Sequence, residues 1–257
     1  EYYNMKGGYS MPLLYLSPST QEFNPYITTG DEEYWMNQLA DRMEPYLLAN
    51  GIDFVRNDPS GNAATSIRQS NMGSYDFHLA LHSNAAPDSL SGKLRGIDAY
   101  YYPTSLDGAR MADLMVENLK SVYPLPDKIQ TRPSTIIGEV GKTRAPSVLM
   151  EYGYHDNQED ADWLVANLDS VAEATVRAVT EYFGLPFLQP QAPKSAIVTI
   201  QDGNLNLRGG PGTAFPIVAK LPNGAIVQIL NQFSGWNVVE YEDFVGYADS
   251  KYLMINN

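Results

Sequence analysis

Short apolar runs alternate with longer segments of helical periodicity through the first two thirds of the sequence. The runs typical of buried strands are MPLLYLSP (11–18), IDFVRND (52–58), YDFHLALHSNA (75–85), GIDAYYYP (96–103) and PSVLMEYGY (146–154). Helices are predicted over 31–50, 63–72, 105–124 and 157–183. This alternation predicts one α/β domain, residues 1–185, whose mainly parallel sheet carries helices on both faces.

The pattern changes after a proline-rich segment. Residues 186–195 are predicted to form a semi-rigid extended linker. Beyond it, short strands are separated by glycine, proline and asparagine, as in AIVTI, LNLRGGPG and AIVQILNQF. This pattern predicts a small all-β barrel over residues 196–257.

Composition excludes several kinds of chemistry and partner. The sequence has no cysteine, which rules out disulfides, thiolate zinc sites and cysteine nucleophiles. The net charge is -13, and lysine and arginine form no cluster on a predicted face, which argues against nucleic-acid binding. The apolar runs are shorter than the ~20 residues of a membrane-spanning helix, so no transmembrane segment is expected.

An apolar strand that ends in His82 is the first candidate for chemistry. Open α/β folds bind ligands outside the carboxyl ends of their strands, where this imidazole is expected. His78 precedes it by four residues, a separation of about 13 Å at about 3.3 Å per residue, too far to share one metal ion. We therefore interpret His78 as a packed structural residue. His82 is either a functional residue or a hydrogen-bonded capping residue.

The start of the first helix offers a carboxylate. Thr29 as N-cap, with Glu32 three residues later, matches a capping box and leaves Glu33 on the inward side. An inward carboxylate needs a partner, which a metal ion could supply, and the helix N-terminus favours its charge. The alternative is a solvated first-turn glutamate that interacts only with the helix dipole.

A second carboxylate, Glu151, lies inside a buried strand. Burial of a carboxylate is costly unless the group is paired or used. His155 follows four positions later, in the loop before the next helix, and the adjacent Asp156 and Asn157 are typical helix caps. Capping therefore accounts for Asp156 and Asn157, and it leaves Glu151 unexplained.

Together, LALHSNA (79–85), SVLMEYGYHDN (147–157) and a glutamate opening the first helix resemble the zinc-dependent N-acetylmuramoyl-L-alanine amidases of the amidase 3 type, over roughly residues 11–184. The resemblance implies Zn²⁺ held by a histidine after the first strand, a glutamate on the first helix and a histidine after the third strand. It also implies a catalytic glutamate on a late strand. Glu33 and His82 match two of the ligands, and Glu151 matches the catalytic residue.

The first ligand of that family has no counterpart in this sequence. The usual Asp-Pro-Gly-His-Gly turn is replaced by SPSTQEFNPY (17–26), which contains no histidine. A branch of related amidases has a similar Ser-Pro-Ser-x-Gln turn together with His-Asp-Asn after the catalytic glutamate. That pairing favours His155 as the third ligand, because imidazole is the better zinc ligand, with the amide oxygen of Gln21 as the alternative.

The C-terminal segment has its own resemblance. Residues 196–254, with the landmarks LNLRGGPG, GW and GY, are similar to bacterial SH3 domains. Such domains commonly accompany cell-wall hydrolases and bind wall peptides or glycans. The resemblance implies a wall-binding module, and a spacer is the alternative.

The implied reaction is hydrolysis of the amide bond between N-acetylmuramic acid and L-alanine by zinc-activated water, so peptidoglycan is the expected partner. Gln21, Asn24 and Asn84 are predicted to hydrogen-bond substrate at the same end of the sheet. Glu139 is predicted to recognise an amino group of the stem peptide.

Two other functions stay open at this point. One is a catalytically silent amidase-like protein that binds peptidoglycan, and the other is a different wall-directed metallohydrolase, such as a peptidase or deacetylase. In each case we expect a monomer that is extracellular or associated with a bacterial cell wall. The start at Glu1 rather than methionine is compatible with export.

Overall fold

The computed structural model describes residues 11–255 of the chain. Within them, the chain divides into two compact units, one formed by 14–46 and 54–187, the other by 188–255 with the short segments 11–13 and 47–53. Residues 1–10, which the sequence analysis assigns to the first domain, lie outside the described part. Across 11–255, no helix has the length and apolar character that crossing a membrane requires.

A six-stranded sheet is the centre of the α/β fold. Its strands are β1 (Leu13–Pro18), β2 (Asp53–Arg56), β3 (Phe77–Asn84), β4 (Ile97–Tyr101), β5 (Ile129–Pro133) and β6 (Ser147–Tyr154), in the order β2-β1-β3-β6-β4-β5. The pairs β1–β3, β3–β6 and β4–β5 are parallel, and β4–β6 is antiparallel. The predicted mainly parallel sheet is therefore confirmed.

Six helices accompany the strands: α1 (Glu32–Ala49), α2 (Ala63–Met72), α3 (Leu106–Leu119), α4 (Gly138–Gly141), α5 (Gln158–Ala166) and α6 (Leu168–Phe183). Helix α3 packs on α6 and on strands β4, β5 and β6. The single helix predicted over 157–183 is interrupted at Asn167, whose backbone φ of -123° leaves the helical range. Strand β5 and the short helix α4 were not predicted.

The central strands β3 and β6 carry the two principal candidate residues. Seven of the eight residues of β3 are buried, from Phe77 to Ser83, and β6 is buried from Ser147 to Met150. A strand covered on both faces reads as a continuous apolar run, which explains why both strands were recognised in the sequence. His82 and Glu151 lie near the carboxyl ends of these runs, where the apolar residues stop.

The C-terminal unit contains a seven-stranded antiparallel sheet. Its strands are β7 (Lys194–Val198), β8 (Asn204–Arg208), β9 (Ile217–Pro222), β10 (Ile226–Phe233), β11 (Trp236–Tyr241), β12 (Phe244–Asp249) and β13 (Leu253–Ile255). Their order is β13-β7-β10-β11-β12-β8-β9, with β13 at one edge and β9 at the other. Alternate residues such as Leu205 and Leu207 enter a common apolar core. The predicted all-β module is confirmed, whereas closure into a barrel stays a prediction.

Candidate active site

His82 and Glu151 face each other across two neighbouring strands. They are register partners in the parallel pair β3–β6. Because both strands run in the same direction, their carboxyl ends meet at one edge of the sheet. The structure therefore brings together the two residues that the sequence analysis ranked highest.

The carboxylate that meets His82 belongs to Glu32. Oε1 of Glu32 lies 2.7 Å from Nδ1 of His82, and Nδ2 of Asn24 donates to the other carboxylate oxygen at 2.7 Å. The amide nitrogen of Gln21 lies 3.2 Å from the same Nδ1, and its oxygen accepts from Nδ2 of Asn24. Gln21 of the loop before α1 and Glu32 at the start of the helix thus meet one edge of the imidazole, and Asn24 bonds to both of them.

Glu32 lies beside His82, whereas the sequence predicted Glu33 as the metal ligand, and the start of α1 explains the difference. Asp31, not Thr29, acts as the cap, since its Oδ1 accepts from the backbone nitrogen of Tyr34 at 2.8 Å. With the cap supplied by Asp31, the side chain of Glu32 is free to turn inward and is buried, while Glu33 is partly exposed. One helical position, about 100° of rotation, separates the two carboxylates.

Glu139 contacts the opposite side of His82. Its Oε2 lies 3.2 Å from Nε2 of His82, and its Oε1 lies 3.2 Å from Nε2 of His78 and accepts from Oγ of Ser17 at 2.7 Å. The residue is 4% exposed. Burial and these three contacts engage the carboxylate within the protein, and recognition of an amino group of the substrate by Glu139 stays a prediction.

Two carboxylates make His82 cationic. A carboxylate only accepts hydrogen bonds, so both ring nitrogens carry hydrogen in these contacts. Burial opposes the charge, but the hydrogen bonds to Glu139 and Glu32 outweigh it and raise the pKa of His82 well above its usual value. Burial likewise opposes ionisation of Glu32 and Glu139, yet hydrogen bonds from the histidines hold the pKa of each carboxyl below its usual value.

Glu151 has a different environment. Burial raises its pKa to about 8, despite the nearby positive charge of His82. Its Oε2 is buried and has no hydrogen-bond partner among the described residues. A buried carboxyl oxygen left unpaired in a protein interior indicates a group kept for another partner, such as substrate, water or a cation.

His155 lies apart from His82. Its Nδ1 contacts the carbonyl oxygen of Ser83 at 3.0 Å and the hydroxyl of Ser83 at 3.1 Å. Because a carbonyl only accepts, Nδ1 carries hydrogen, and Nε2 is the ring nitrogen whose lone pair could meet a metal ion. The ring stacks on Tyr26 with centroids 5.3 Å apart, and the backbone oxygen of His155 accepts from Ile27. His155 therefore fastens the loop before α1 to the end of β3.

The remaining substrate candidate, Asn84, ends β3 and is partly exposed. Its backbone oxygen accepts from the nitrogen of His155 at 2.8 Å. Gln21 and Asn24, in contrast, already bond to His82 and Glu32. Asn84 is thus the predicted substrate residue whose side chain is the most available.

The groups around Nδ1 of His82 decide whether this site could hold the zinc ion that the family resemblance implies. Within 11–255, no three histidine, cysteine, aspartate or glutamate side chains form a group that could hold a metal. Glu32 and His82 supply two candidate metal ligands, and the third ligand must come from another residue type. Gln21 is in reach: its amide oxygen, which now accepts from Nδ2 of Asn24, would have to leave that contact to meet a metal ion beside Nδ1 of His82.

A second concave surface lies in the C-terminal unit. A cavity of about 240 Å³ is lined by Trp236, Tyr252, Lys251 and Asn204, among others. Nζ of Lys251 lies 4.6 Å from the ring centroid of Tyr252 and 3.0 Å from a carboxylate oxygen of Asp249. Aromatic rings beside amides and charged groups are suited to peptides or glycans.

Sequence reasoning missed Glu32, Ser17 and the pairing of His78 with Glu139. The competing cap at Asp31 was a readable signal for Glu32, because aspartate is a better N-cap than threonine. The contact between Glu139 and His78 left no local signal, since the residues are 61 positions apart. It arises only where α4 packs against the strands.

Comparison with known proteins identifies relatives of both units. Residues 25–181 match the family described as N-acetylmuramoyl-L-alanine amidase, and residues 203–254 match the bacterial SH3 domain. YrvJ of Bacillus subtilis (strain 168), provisionally named an N-acetylmuramoyl-L-alanine amidase, is 30% identical over 101 residues. That segment is 37% of this chain and 18% of the length of YrvJ.

Solved structures share the fold of the α/β unit. The amidase AmiC2 of Nostoc punctiforme superposes with a TM-score of 0.57 at 18% identity, covering 69% of this chain and 99% of AmiC2. The catalytic domain of the amidase CwlV from Bacillus (Paenibacillus) polymyxa var. colistinus also gives 0.57, at 16% identity, covering 68% of this chain and all of that domain (100%).

Proposed function

Because the chain belongs to the N-acetylmuramoyl-L-alanine amidase family, we propose that it hydrolyses the amide bond between N-acetylmuramic acid and the L-alanine of the peptidoglycan stem peptide. The observation that carries this proposal is the buried Oε2 of Glu151, which has no hydrogen-bond partner among the described residues, on the strand position opposite His82. Such a pair of titratable groups in unlike environments is typical of acid and base roles in hydrolysis.

Glu151 is the proposed general base. A pKa of about 8 lets its carboxyl exchange protons close to neutral pH, as a group that takes a proton and returns it must do. It would take the proton of the attacking water and then deliver it to the nitrogen of the departing L-alanine.

We assign the proposed zinc site to Glu32, His82 and Gln21. Glu32 replaces Glu33 in this assignment because it is the glutamate in contact with His82. Gln21 is preferred to His155 because its amide lies 3.2 Å from Nδ1 of His82, whereas the ring of His155 contacts Ser83 and Tyr26. When bound, Zn²⁺ would lower the pKa of water and polarise the scissile carbonyl.

The other proposed roles follow from exposure and family resemblance. Asn84, partly exposed at the end of β3, would hydrogen-bond the substrate. The domain limits 1–185 and 196–257, joined by the segment 186–195, stay as proposed from the sequence, as does a barrel form of the second domain. The C-terminal unit would bind the wall through the surface lined by Trp236 and Tyr252. The protein would then act outside the cell or at the cell wall, as a monomer.

The test is mass spectrometry of the soluble products from purified peptidoglycan incubated with the full chain. The proposal expects stem peptides with a free N-terminal L-alanine, released in smaller amount with a chelator and restored by Zn²⁺. Glu151→Gln is expected to lower the rate by about 10²- to 10⁴-fold. Glu181→Gln, which alters an exposed glutamate of α6, is the matched control and retains the rate.

Other products identify the alternatives. A new end group at a different bond indicates another wall-directed hydrolase. Intact wall that sediments with bound protein indicates a silent binding protein, an outcome favoured by the missing histidine in the turn at 17–26. Either result rejects the proposed amidase reaction.

A further inference from the structure

A chain of buried polar contacts runs behind His82. It starts at Oγ of Ser70, 3.0 Å from Nδ1 of His78, and continues from Nε2 of His78 to Oε1 of Glu139. It then passes from Oε2 of Glu139 to Nε2 of His82, and from Nδ1 of His82 to Glu32. The five side chains are buried and come from α2, β3, α4 and α1.

Glu139 is the centre of this chain, because its two oxygens are divided between two histidines. His78 and His82 both lie on β3, four residues apart, and one carboxylate reaches Nε2 of each at 3.2 Å. The hydroxyl of Ser17 adds a third contact at 2.7 Å. With both oxygens held by donors from β1 and β3, the carboxylate has little freedom to rotate away.

The contact between Glu139 and Nε2 of His82 determines which nitrogen of His82 faces the proposed metal site. Glu139 accepts from Nε2 and keeps hydrogen on that atom, so the hydrogen that Nδ1 shares with Glu32 is the one that a metal ion would displace. Nδ1 is also the atom that Glu32 and Gln21 approach. The contacts at Nε2 and at Nδ1 therefore favour the same orientation of the His82 ring.

We propose that Glu139 is a positioning residue that holds His82 with Nδ1 directed to the metal site, and that His78 holds Glu139 in turn. The inference rests on the proposed function, because it assigns His82 as a metal ligand. It gives His78 a purpose beyond packing. The ring of His78 stacks on Tyr15, with centroids 5.1 Å apart, and so forms a rigid support for the carboxylate.

The test is titration of Zn²⁺ into the full chain after removal of metal, which reads affinity without any turnover. Glu139→Gln keeps the shape of the side chain but offers a single acceptor oxygen to two histidines. We expect the dissociation constant for Zn²⁺ to rise by about 10- to 100-fold. Glu181→Gln on the surface of α6 is the matched control, with affinity unchanged.

A second variant keeps the test decisive if Glu139→Gln does not fold. His78→Gln leaves the contact between Glu139 and His82 but removes the stacked ring that supports it. We expect a smaller rise in the dissociation constant, about 3- to 10-fold, because the carboxylate is loosened rather than removed. Circular dichroism establishes that each variant is folded before titration.

The outcomes separate this inference from the proposed reaction. Zinc affinity unchanged in folded Glu139→Gln or His78→Gln overturns the positioning role, as does an unaltered chain that binds no Zn²⁺. The proposed reaction is judged independently by the products from peptidoglycan. A chain that binds Zn²⁺ through this arrangement and releases no stem peptide supports the inference and rejects the reaction.

Discussion

At the scale of single residues, one helical position decides which glutamate meets His82. Asp31 caps α1, and the backbone nitrogen of Glu32 donates to the oxygen of Asn24. These contacts set the first turn so that the side chain of Glu32 enters the interior. The pKa of the partly exposed Glu33 is raised by partial burial and by the charges of Glu22 and Asp31.

The first prediction separates the two glutamates by zinc affinity. Glu32→Gln is expected to raise the dissociation constant for Zn²⁺ by at least about tenfold, equivalent to about 1.4 kcal/mol, because a charged ligand becomes neutral. Glu33→Gln, its neighbour in sequence, changes the constant by less than about threefold. Competition with a chromophoric chelator measures both, and equal effects would contradict the assignment of Glu32.

The second prediction concerns Glu151 and pH. Its pKa is about 8 in the folded chain against 4.5 for a solvated carboxyl, so between these values the folded state holds a proton that the unfolded state has lost. Stability therefore falls as pH rises through that window. Glu151→Gln has no such ionisation. Its unfolding free energy therefore rises relative to that of the unaltered chain, by up to about 1.4 kcal/mol per pH unit in this window.

Denaturant unfolding at several pH values, with a chelator present, tests this relation. Subtracting the two curves cancels titrations that the variants share. A difference in unfolding free energy that stays constant from about pH 5 to about pH 8 would show that Glu151 ionises normally. A gain in stability joined to a loss of activity is the pattern expected of a functional residue in an unfavourable environment.

At the scale of elements, the loop before α1 is held by the loop after β6. The backbone nitrogen of Ile27 donates to the oxygen of His155, and the hydroxyl of Tyr26 donates to Oγ of Ser83. Since the first loop also carries Gln21 and Asn24, its attachment positions the polar groups around Glu32. His155 thus holds the loop that carries these site residues.

The third prediction tests that role with His155→Ala. Loss of the stacked ring and of the donor to Ser83 is expected to lower the unfolding free energy by about 2 to 4 kcal/mol. Zinc affinity of the folded variant changes by less than about threefold. His155→Phe, which keeps a ring against Tyr26, should recover part of the stability. Loss of zinc binding in both variants would restore His155 as a ligand.

At the scale of the whole molecule, net charge governs the encounter with a cell wall. The chain carries -13 at neutral pH, so it is repelled by anionic wall polymers over roughly the Debye length, about 10 Å at 0.1 M salt. The aromatic and amide groups of the C-terminal surface act at contact, where salt matters less. Higher ionic strength therefore weakens the electrostatic repulsion from the wall more than it weakens the contacts of the C-terminal surface.

The fourth prediction follows from this difference. Co-sedimentation with walls that retain anionic polymers should increase as salt rises from about 0.02 to about 0.2 M, because screening weakens the repulsion. Binding to walls stripped of those polymers should vary less. Trp236→Ala is expected to weaken both, and Phe244→Ala, which removes an exposed aromatic on β12 outside that lining, is the control. Binding that falls with salt on both walls would indicate ionic attraction instead.

Much of the architecture could be predicted from the sequence because it depends on local periodicity. Buried strands such as β3 and β6 appear as apolar runs, helices as 3.6-residue patterns, and the change to short strands after residue 195 marks the second module. The ends of the same runs located His82 and Glu151, since a polar residue closing an apolar strand is visible without a structure.

The tertiary structure decided which side chains meet. The choice of Glu32 over Glu33 depended on the competing cap at Asp31, and the position of His155 depended on Ser83, 72 residues away. Glu139 reaches both histidines of β3 only because α4 packs against the sheet. Periodicity is a property of neighbours along the chain, whereas hydrogen-bond partners are set by the order of strands and the packing of loops. The sequence by itself therefore determined the strands, helices and modules, and the tertiary structure determined the contacts between side chains.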